Sequence, residues 1–320
     1  GGSVLDLVVV AEEVARGSAD LFKAFAGSLF CGLNILRHGS AAQRTSWLPR
    51  VMSGAARMSI AISEPEAGSD LSGIRTRATR DGGSWVIDGG KIWTTGAGLP
   101  GIVINAYVRT GDAADVRKSL LLILGPNDTP GVRLRKLEML GRRMTGTYEV
   151  AFDNVRVPAE NIVGEENRGW DVVLAGLQAE RIVSAAGNVG AASAALDLAV
   201  AHARDRRQFG RAIGEFQAIG HMLADLAAEV EAVRSLTWRA AWMVSRGRDA
   251  LREISMAKLL SSELYAKVAA QGMQVMGAQG FSMEGDMQRH FRDSRSATVA
   301  AGTSQMQRNL IAGLLGLRPR

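Results

Sequence analysis

One cysteine, Cys31, is the whole thiol content of the 320-residue sequence. No internal disulfide can form, and the composition suits a reducing, cytoplasmic setting. Aromatic residues are scarce at 5 %, which leaves little from which to build a base-stacking platform. No stretch approaches the roughly 18 uninterrupted apolar residues of a membrane span. The densest short run, Leu120 to Leu124, stops at Gly125-Pro126. The N-terminus lacks a basic segment followed by an apolar core and a small-residue cleavage site, so no secretory signal is read. Proline disappears from Gly169 until Pro319, which leaves room for long uninterrupted helices.

What is present is a chain with 47 % hydrophobic residues and a formal net charge of +6, long enough to bury a large core. The basic residues are spread along it. The densest cluster, Arg204, Arg206, Arg207 and Arg211, is interrupted by Asp205, Gln208 and Gly210. A solvated basic surface, or attraction to a phosphate-bearing small substrate, is expected in place of nucleic-acid binding. No metal site is assigned.

Periodicity divides the chain into helical, β and helical parts. Residues 3–53 read as helix, with Leu5, Val8, Val9 and Val14 apolar and a break at His38-Gly39-Ser40. Between Met58 and Val157 the period changes to two. Trp85-Val86-Ile87 and Lys91-Ile92-Trp93 flank Asp88-Gly89-Gly90, which predicts a hairpin there. Further short strands are expected at 102–108, 119–124 and 149–157, and helices at about 169–203, 216–245, 249–276 and 304–315. In the second of these helices Ile219, Met222, Leu223, Leu226 and Val230 form one buried stripe of a bundle. The expected domains are 1–56 (helical, beginning partway into its fold), 57–160 (β) and 161–320 (helical bundle).

Four segments carry the chemistry: Ile62-Ser63-Glu64-Pro65 through Ala67-Gly68-Ser69-Asp70, Trp93-Thr94-Thr95, Arg206-Arg207-Gln208-Phe209-Gly210, and Gly302-Thr303-Ser304-Gln305. A Gly/Ser-rich turn after a strand lets backbone and hydroxyl donors approach a ligand, though an ordinary surface turn looks similar. Trp93 reads equally as a core residue, Arg206 as part of a solvated loop, and Thr303 as a helix cap.

Taken together, in this order and at these separations, the segments resemble the acyl-CoA dehydrogenase family over nearly the whole chain. Asp153 to Pro158, Gln274 to Gly277 and Gln305 to Arg308 add to the likeness. The resemblance implies an α+β multidomain fold: an N-terminal helical domain, a middle β-barrel-like domain and a C-terminal four-helix bundle. It implies FAD as cofactor, with Ile62, Ser63, Ser69, Trp93, Thr95, Gln217, Gln274, Gly277, Ala278, Thr303 and Gln305 as contacts. Arg206, Gln208 and Phe209 would reach a neighbouring subunit's FAD in a homodimer or homotetramer. Ser69, Thr145, Gln178, Arg181 and Ala300 would line the acyl thioester site. Ser63 stands where many members have threonine, and Ala278 where glycine is frequent.

Many members carry the catalytic glutamate where this chain has Ala301. A replacement stands on the helix starting near 169. Trp170, Val173, Leu174 and Leu177 define an apolar stripe whose continuation is Glu180. A carboxylate there is costly unless paired or used, and by itself it reads as an inter-helix salt bridge. The family's isovaleryl-CoA and long-chain subgroup places its base on this helix, in a Leu-x-x-Glu-Arg setting matched by Leu177 to Arg181, with a small residue at the Ala301 position. The resemblance therefore assigns the base to Glu180, with desolvation expected to raise its pKa. The backbone N–H of Ala301 would polarise the thioester carbonyl, hydride would pass to flavin N5, and electrons would go on to an electron-transferring flavoprotein. The small Ala300 and Ala301 side chains leave room for a branched or wide acyl group, carried by CoA or a carrier protein. Two other readings keep the fold: a flavin monooxygenase or oxidase, and a non-catalytic subunit of a hetero-oligomer.

Overall fold

In the computed structural model, residues 2–110 and 115–317 are described. Three helices come first, α1 (Val4–Gly17), α2 (Ala19–His38) and α3 (Ala41–Met52). The expected break at 39–40 is present, and Ser40 starts α3 as the N-cap of a capping box with Gln43. A second break, at Ser18, was not anticipated, although Gly17 stands directly before it.

The strands follow: β1 (Arg57–Ala61), β2 (Arg77–Asp81), β3 (Ser84–Thr95), β4 (Ile102–Arg109), β5 (Leu120–Pro126), β6 (Val132–Leu137), β7 (Thr147–Pro158) and β8 (Ile162–Val163). They form one eight-stranded sheet in the order β6-β7-β3-β2-β4-β5-β8, with β1 parallel to β4. The expected hairpin at Asp88-Gly89-Gly90 is corrected. β3 runs straight through those residues, paired with β7 on both sides, and the register slips between Ile87 and Gly89. Gly89, at φ +132, makes a bulge, and a Cβ there would lie 2.8 Å from Thr76 Cα. The hairpin lies one turn earlier, joining β2 to β3.

After the sheet come α4 (Gly169–Asp205), a small antiparallel pair β9 (Arg207–Gln208) and β10 (Arg211–Ala212), α5 (Gln217–Ser245), α6 (Leu251–Met276), α7 (Ala278–Phe281), α8 (Met287–Ala297) and α9 (Ser304–Leu314). The four long helices fall where the sequence placed them. The short α7 and the polar α8 were missed, since α8 buries Gln288, His290, Asp293 and Ser294 and so shows no apolar stripe.

The chain forms two compact units: residues 1–22, 140–142 and 180–320, and residues 23–139 and 143–179. In the first, α4, α5, α6 and α8 share a core of Ala192, Leu196, Leu226, Val230, Tyr265, Val268 and Met287. In the second, one face of the sheet buries Trp85, Ile104, Leu121, Ile123 and Phe152. A further cluster packs Cys31, Ile35, Met58, Tyr107, Leu122 and Val173.

The apolar stripe expected on α4 is also corrected. Val173 is buried and Trp170 and Leu177 pack beside it, but Leu174 is 48 % exposed, one 100° step round the helix from Val173. By length and composition, α2 and α4 reach what a membrane crossing needs, which counting uninterrupted apolar runs did not register. In α4 83 % of that window is buried in the protein, so its apolarity is core.

Candidate active site

The β-containing unit carries one group of the residues singled out. The segment after β1 is held from several sides. Lys91 Nζ donates to the Ile62 carbonyl at 3.0 Å, and the Ile92 N–H donates to the Ser63 carbonyl at 2.9 Å. Glu64 accepts from the N–H groups of Arg75 and Thr76 at 2.7 and 2.9 Å. Asp70 accepts from the Ser72 N–H at 2.9 Å and closes the turn. Ser63 is thereby fixed half-buried, and Ser69 stands exposed on the same turn.

At the end of β3, Trp93 takes φ +62 where the register to β7 slips. It is 56 % exposed, which overturns the core reading. Thr94 is fully buried between Trp93 and Thr95, and Thr95 is exposed like the tryptophan. Indole and hydroxyl are thus offered outward from the end of an interior strand, with Thr94 between them as its buried anchor. Thr145 is 5 % exposed, in the loop leading to β7.

The helical unit carries the second group. Gly302-Thr303-Ser304 leads into α9, and Thr303 is the N-cap, its side chain accepting from the Met306 N–H at 3.1 Å. The cap reading is therefore correct for this residue. Ala301 has φ +58, and its amide donates to no acceptor among the described residues. Lys258, buried on α6, donates from Nζ to the carbonyls of Ala297 at 3.0 Å and Gly302 at 2.8 Å. Burial pushes this ammonium down to about 8, opposed by the charge of Glu180 and assisted by Arg181 and Arg142. Burial likewise lowers Arg181, against Glu180. A Cβ on Gly302 would lie 3.8 Å from an Arg181 guanidinium nitrogen. Glu180, Arg181, Lys258 and the Ala301 loop are therefore one electrostatic neighbourhood. Ala300 is exposed and Ala301 half-buried, and Gln178 is exposed two residues before Glu180.

A third group lies at the other end of α4. The expected loop at Arg206 to Gly210 is instead a hairpin, β9 and β10, whose two-residue turn has Phe209 at φ +52 and Gly210 at φ +82. Positive φ at both positions is the geometry of a tight hairpin turn. It leaves Phe209 94 % exposed, its ring edge-on to Phe216. Arg206, Gln208 and Phe209 line a cavity of about 560 Å³ together with His202, Gly277 and Ala278. Gln217 and Gln274 are exposed on α5 and α6 and Gln305 on α9, and none of these three lines the cavity. A concave site with a guanidinium, an amide and aromatic edges suits a phosphate-bearing aromatic group.

Comparison with known proteins now decides the class. Matches to "Acyl-CoA dehydrogenase, N-terminal domain" at residues 1–55, "middle domain" at 59–155 and "C-terminal domain" at 167–315 account for almost the whole chain. The chain belongs to the acyl-CoA dehydrogenase family. The glutaryl-CoA dehydrogenase of Desulfococcus multivorans is 36 % identical over 317 residues, spanning 98 % of this chain and 81 % of its own. Among solved structures, butyryl-CoA dehydrogenase from Megasphaera elsdenii superposes with a TM-score of 0.94 at 30 % identity, covering 98 % of this chain and 82 % of that one. An FAD complex of PigA gives 0.93 at 27 % identity, covering 100 % and 85 %.

Membership makes this acyl-CoA dehydrogenase-family chain an oxidoreductase with the fold expected from its sequence, and it implies a flavin. Lys258 was not named from the sequence, and Lys91 and Glu64 were named only within longer segments, with no role of their own. A lysine at an otherwise small or apolar helix position, as in Met256-Ala257-Lys258-Leu259, is the signal that was available for the first.

Proposed function

We propose that this chain is an FAD-dependent acyl-CoA dehydrogenase that introduces an α,β double bond, with Glu180 as the base. The observation that carries the reading is the shared surroundings of Glu180 and Ala301. The carboxylate interacts with Lys258, and Lys258 bonds the carbonyl of the residue next to Ala301. An amide free of any acceptor among the described residues, held in a strained conformation and linked through Lys258 to the charge of Glu180, suits an oxyanion donor paired with a base.

The residues present fit FAD. The hairpin cavity, with Arg206 for a pyrophosphate and Phe209 for a ring, and the outward-facing Trp93 and Thr95 offer the polar and aromatic contacts the cofactor needs. When bound, FAD supplies the acceptor for the hydride leaving the β-carbon. Glu180 takes the α-proton, and the Ala301 N–H stabilises the negative charge that develops on the thioester oxygen. The exposure of Phe209 at a hairpin tip supports a homodimer in which this hairpin serves the neighbouring subunit. An electron-transferring flavoprotein is the proposed electron acceptor, and a branched or wide acyl-CoA the proposed substrate, on the small side chains of Ala300 and Ala301.

The test is anaerobic mixing of FAD-loaded protein with straight, branched and bulky acyl-CoAs, following loss of flavin absorbance in wild type and Glu180→Gln. Bleaching by a subset, slowed at least about a hundredfold in the variant, is the expected result. No bleaching with any thioester, or equal rates in the two proteins, would sink the proposal.

A further inference from the structure

Lys258 lies in the N-terminal half of α6 and is 1 % exposed. An ammonium withdrawn this far from water needs partners, and those it has are informative. Ala297 is the last residue of α8, and Gly302 immediately precedes the Thr303 cap of α9. By donating to both carbonyls, one side chain ties the two ends of connection 298–302 to a third helix.

The same connection is closed by the Ser304 N–H on the Thr298 carbonyl at 3.0 Å, and Gln307 Nε2 donates to the Gly302 carbonyl at 3.3 Å. Inside these restraints Ala301 keeps φ +58. A non-glycine residue stays in that region only where its surroundings over-determine it. Lys258 is the charged member of those surroundings and the one that spans both ends. Charge-assisted bonds to carbonyls are roughly twice as strong as neutral ones, so its removal releases the connection more than loss of Gln307 would.

We propose that Lys258 is a positioning residue for the reaction: by bonding the carbonyls of Ala297 and Gly302, it holds the Ala301 amide in the direction that a thioester oxygen requires. The inference rests on the dehydrogenase reading above and adds to it a residue that touches neither substrate nor cofactor. Lys258 acts through the backbone, so its loss lowers the rate of proton and hydride removal more than it lowers binding.

The experiment compares full-length, FAD-loaded wild type with Lys258→Met and Lys258→Gln. Thermal melting and FAD content report the fold. Single-turnover bleaching gives the rate and Kd. The third readout is the infrared carbonyl stretch of bound, ¹³C-labelled 3-thia-acyl-CoA, whose β-sulfur has no hydride to give. In folded Lys258→Met the rate falls about tenfold to a hundredfold, short of the 10²–10³ expected for removing an oxyanion donor outright. Kd changes less than about threefold, and the stretch moves back toward that of free thioester, with Lys258→Gln in between. An unchanged stretch and rate in a folded variant overturns the inference. So does failure of both variants to fold, which would assign Lys258 to stability alone. Wild-type protein that bleaches with no thioester overturns the dehydrogenase reading itself, and this inference with it.

Discussion

Lys91 Nζ donates to Glu64 Oε1 at 2.8 Å, the lysine 1 % exposed and the glutamate 7 %. The pair joins β3 to the turn that carries Ser63, and each member has backbone partners as well. The lysine also reaches the Ile62 carbonyl, and the glutamate also takes the Arg75 and Thr76 amides. Burial and pairing therefore serve a local purpose, which is to fix the polar side of a glycine-containing turn whose Ile62, Ala67 and Leu71 pack into a core cluster.

Removing one partner leaves a buried charge alone. Lys91→Met is expected to lose about 3–5 kcal/mol of unfolding free energy, measured by urea denaturation at pH 7. A loss below about 1 kcal/mol would mean that the backbone donors alone satisfy Glu64.

The same pair sets a pH dependence. Desolvation raises the Glu64 pKa, but Lys91 and the amide donors outweigh it and the net shift is down from 4.5. A folded value below the unfolded one gives stability that is present above about pH 4.5 and lost as pH falls through the folded value. Burial pushes Lys91 from 10.5 to about 8, so between those values the unfolded chain binds more protons and the lysine's contribution rises with pH. Urea melts at pH 4 and 7 are expected to show a larger acid loss in wild type than in Glu64→Gln.

Trp93 joins backbone strain to the cofactor contact proposed for it. A non-glycine residue at φ +62 costs about 1–2 kcal/mol, and the exposed indole recovers little of it by packing. Trp93→Gly is therefore expected to raise stability by about 1 kcal/mol while weakening FAD retention. Thermal melting of the apoprotein and FAD titration measure the two effects, and a destabilised variant would show that the indole packs in the apoprotein.

Phe209 separates folding from assembly. At 94 % exposure its replacement by serine is expected to change apoprotein stability by no more than about 0.5 kcal/mol. FAD retention and the dimer fraction in sedimentation should both drop. If both are unchanged, the hairpin does not serve a neighbouring subunit.

Gly190 marks a close helix crossing. A Cβ there would collide with the Glu12 carbonyl of α1, so Gly190→Ala must push α1 off α4. An expected loss of about 1–3 kcal/mol in thermal or urea unfolding checks this.

The sequence by itself determined the succession of helical, β and helical parts, because the period of apolar residues is local and survives without neighbours. It also located the four chemical segments and put alanine at 301 and glutamate at 180, the pattern on which the proposed base rests, since residue identities at fixed separations need no coordinates. Tertiary structure decided what depends on distant partners. The strand running through Asp88-Gly89-Gly90 is fixed by β7, which a turn-like dipeptide does not reveal. The exposure of Trp93 follows from a register slip between the same two strands. The buried ammoniums of Lys91 and Lys258 were silent in the sequence, because a lysine shows its role only when the carbonyls and carboxylates around it are in place. For Lys258 those carbonyls lie 39 and 44 residues away along the chain, and only folding brings them within 3.0 Å.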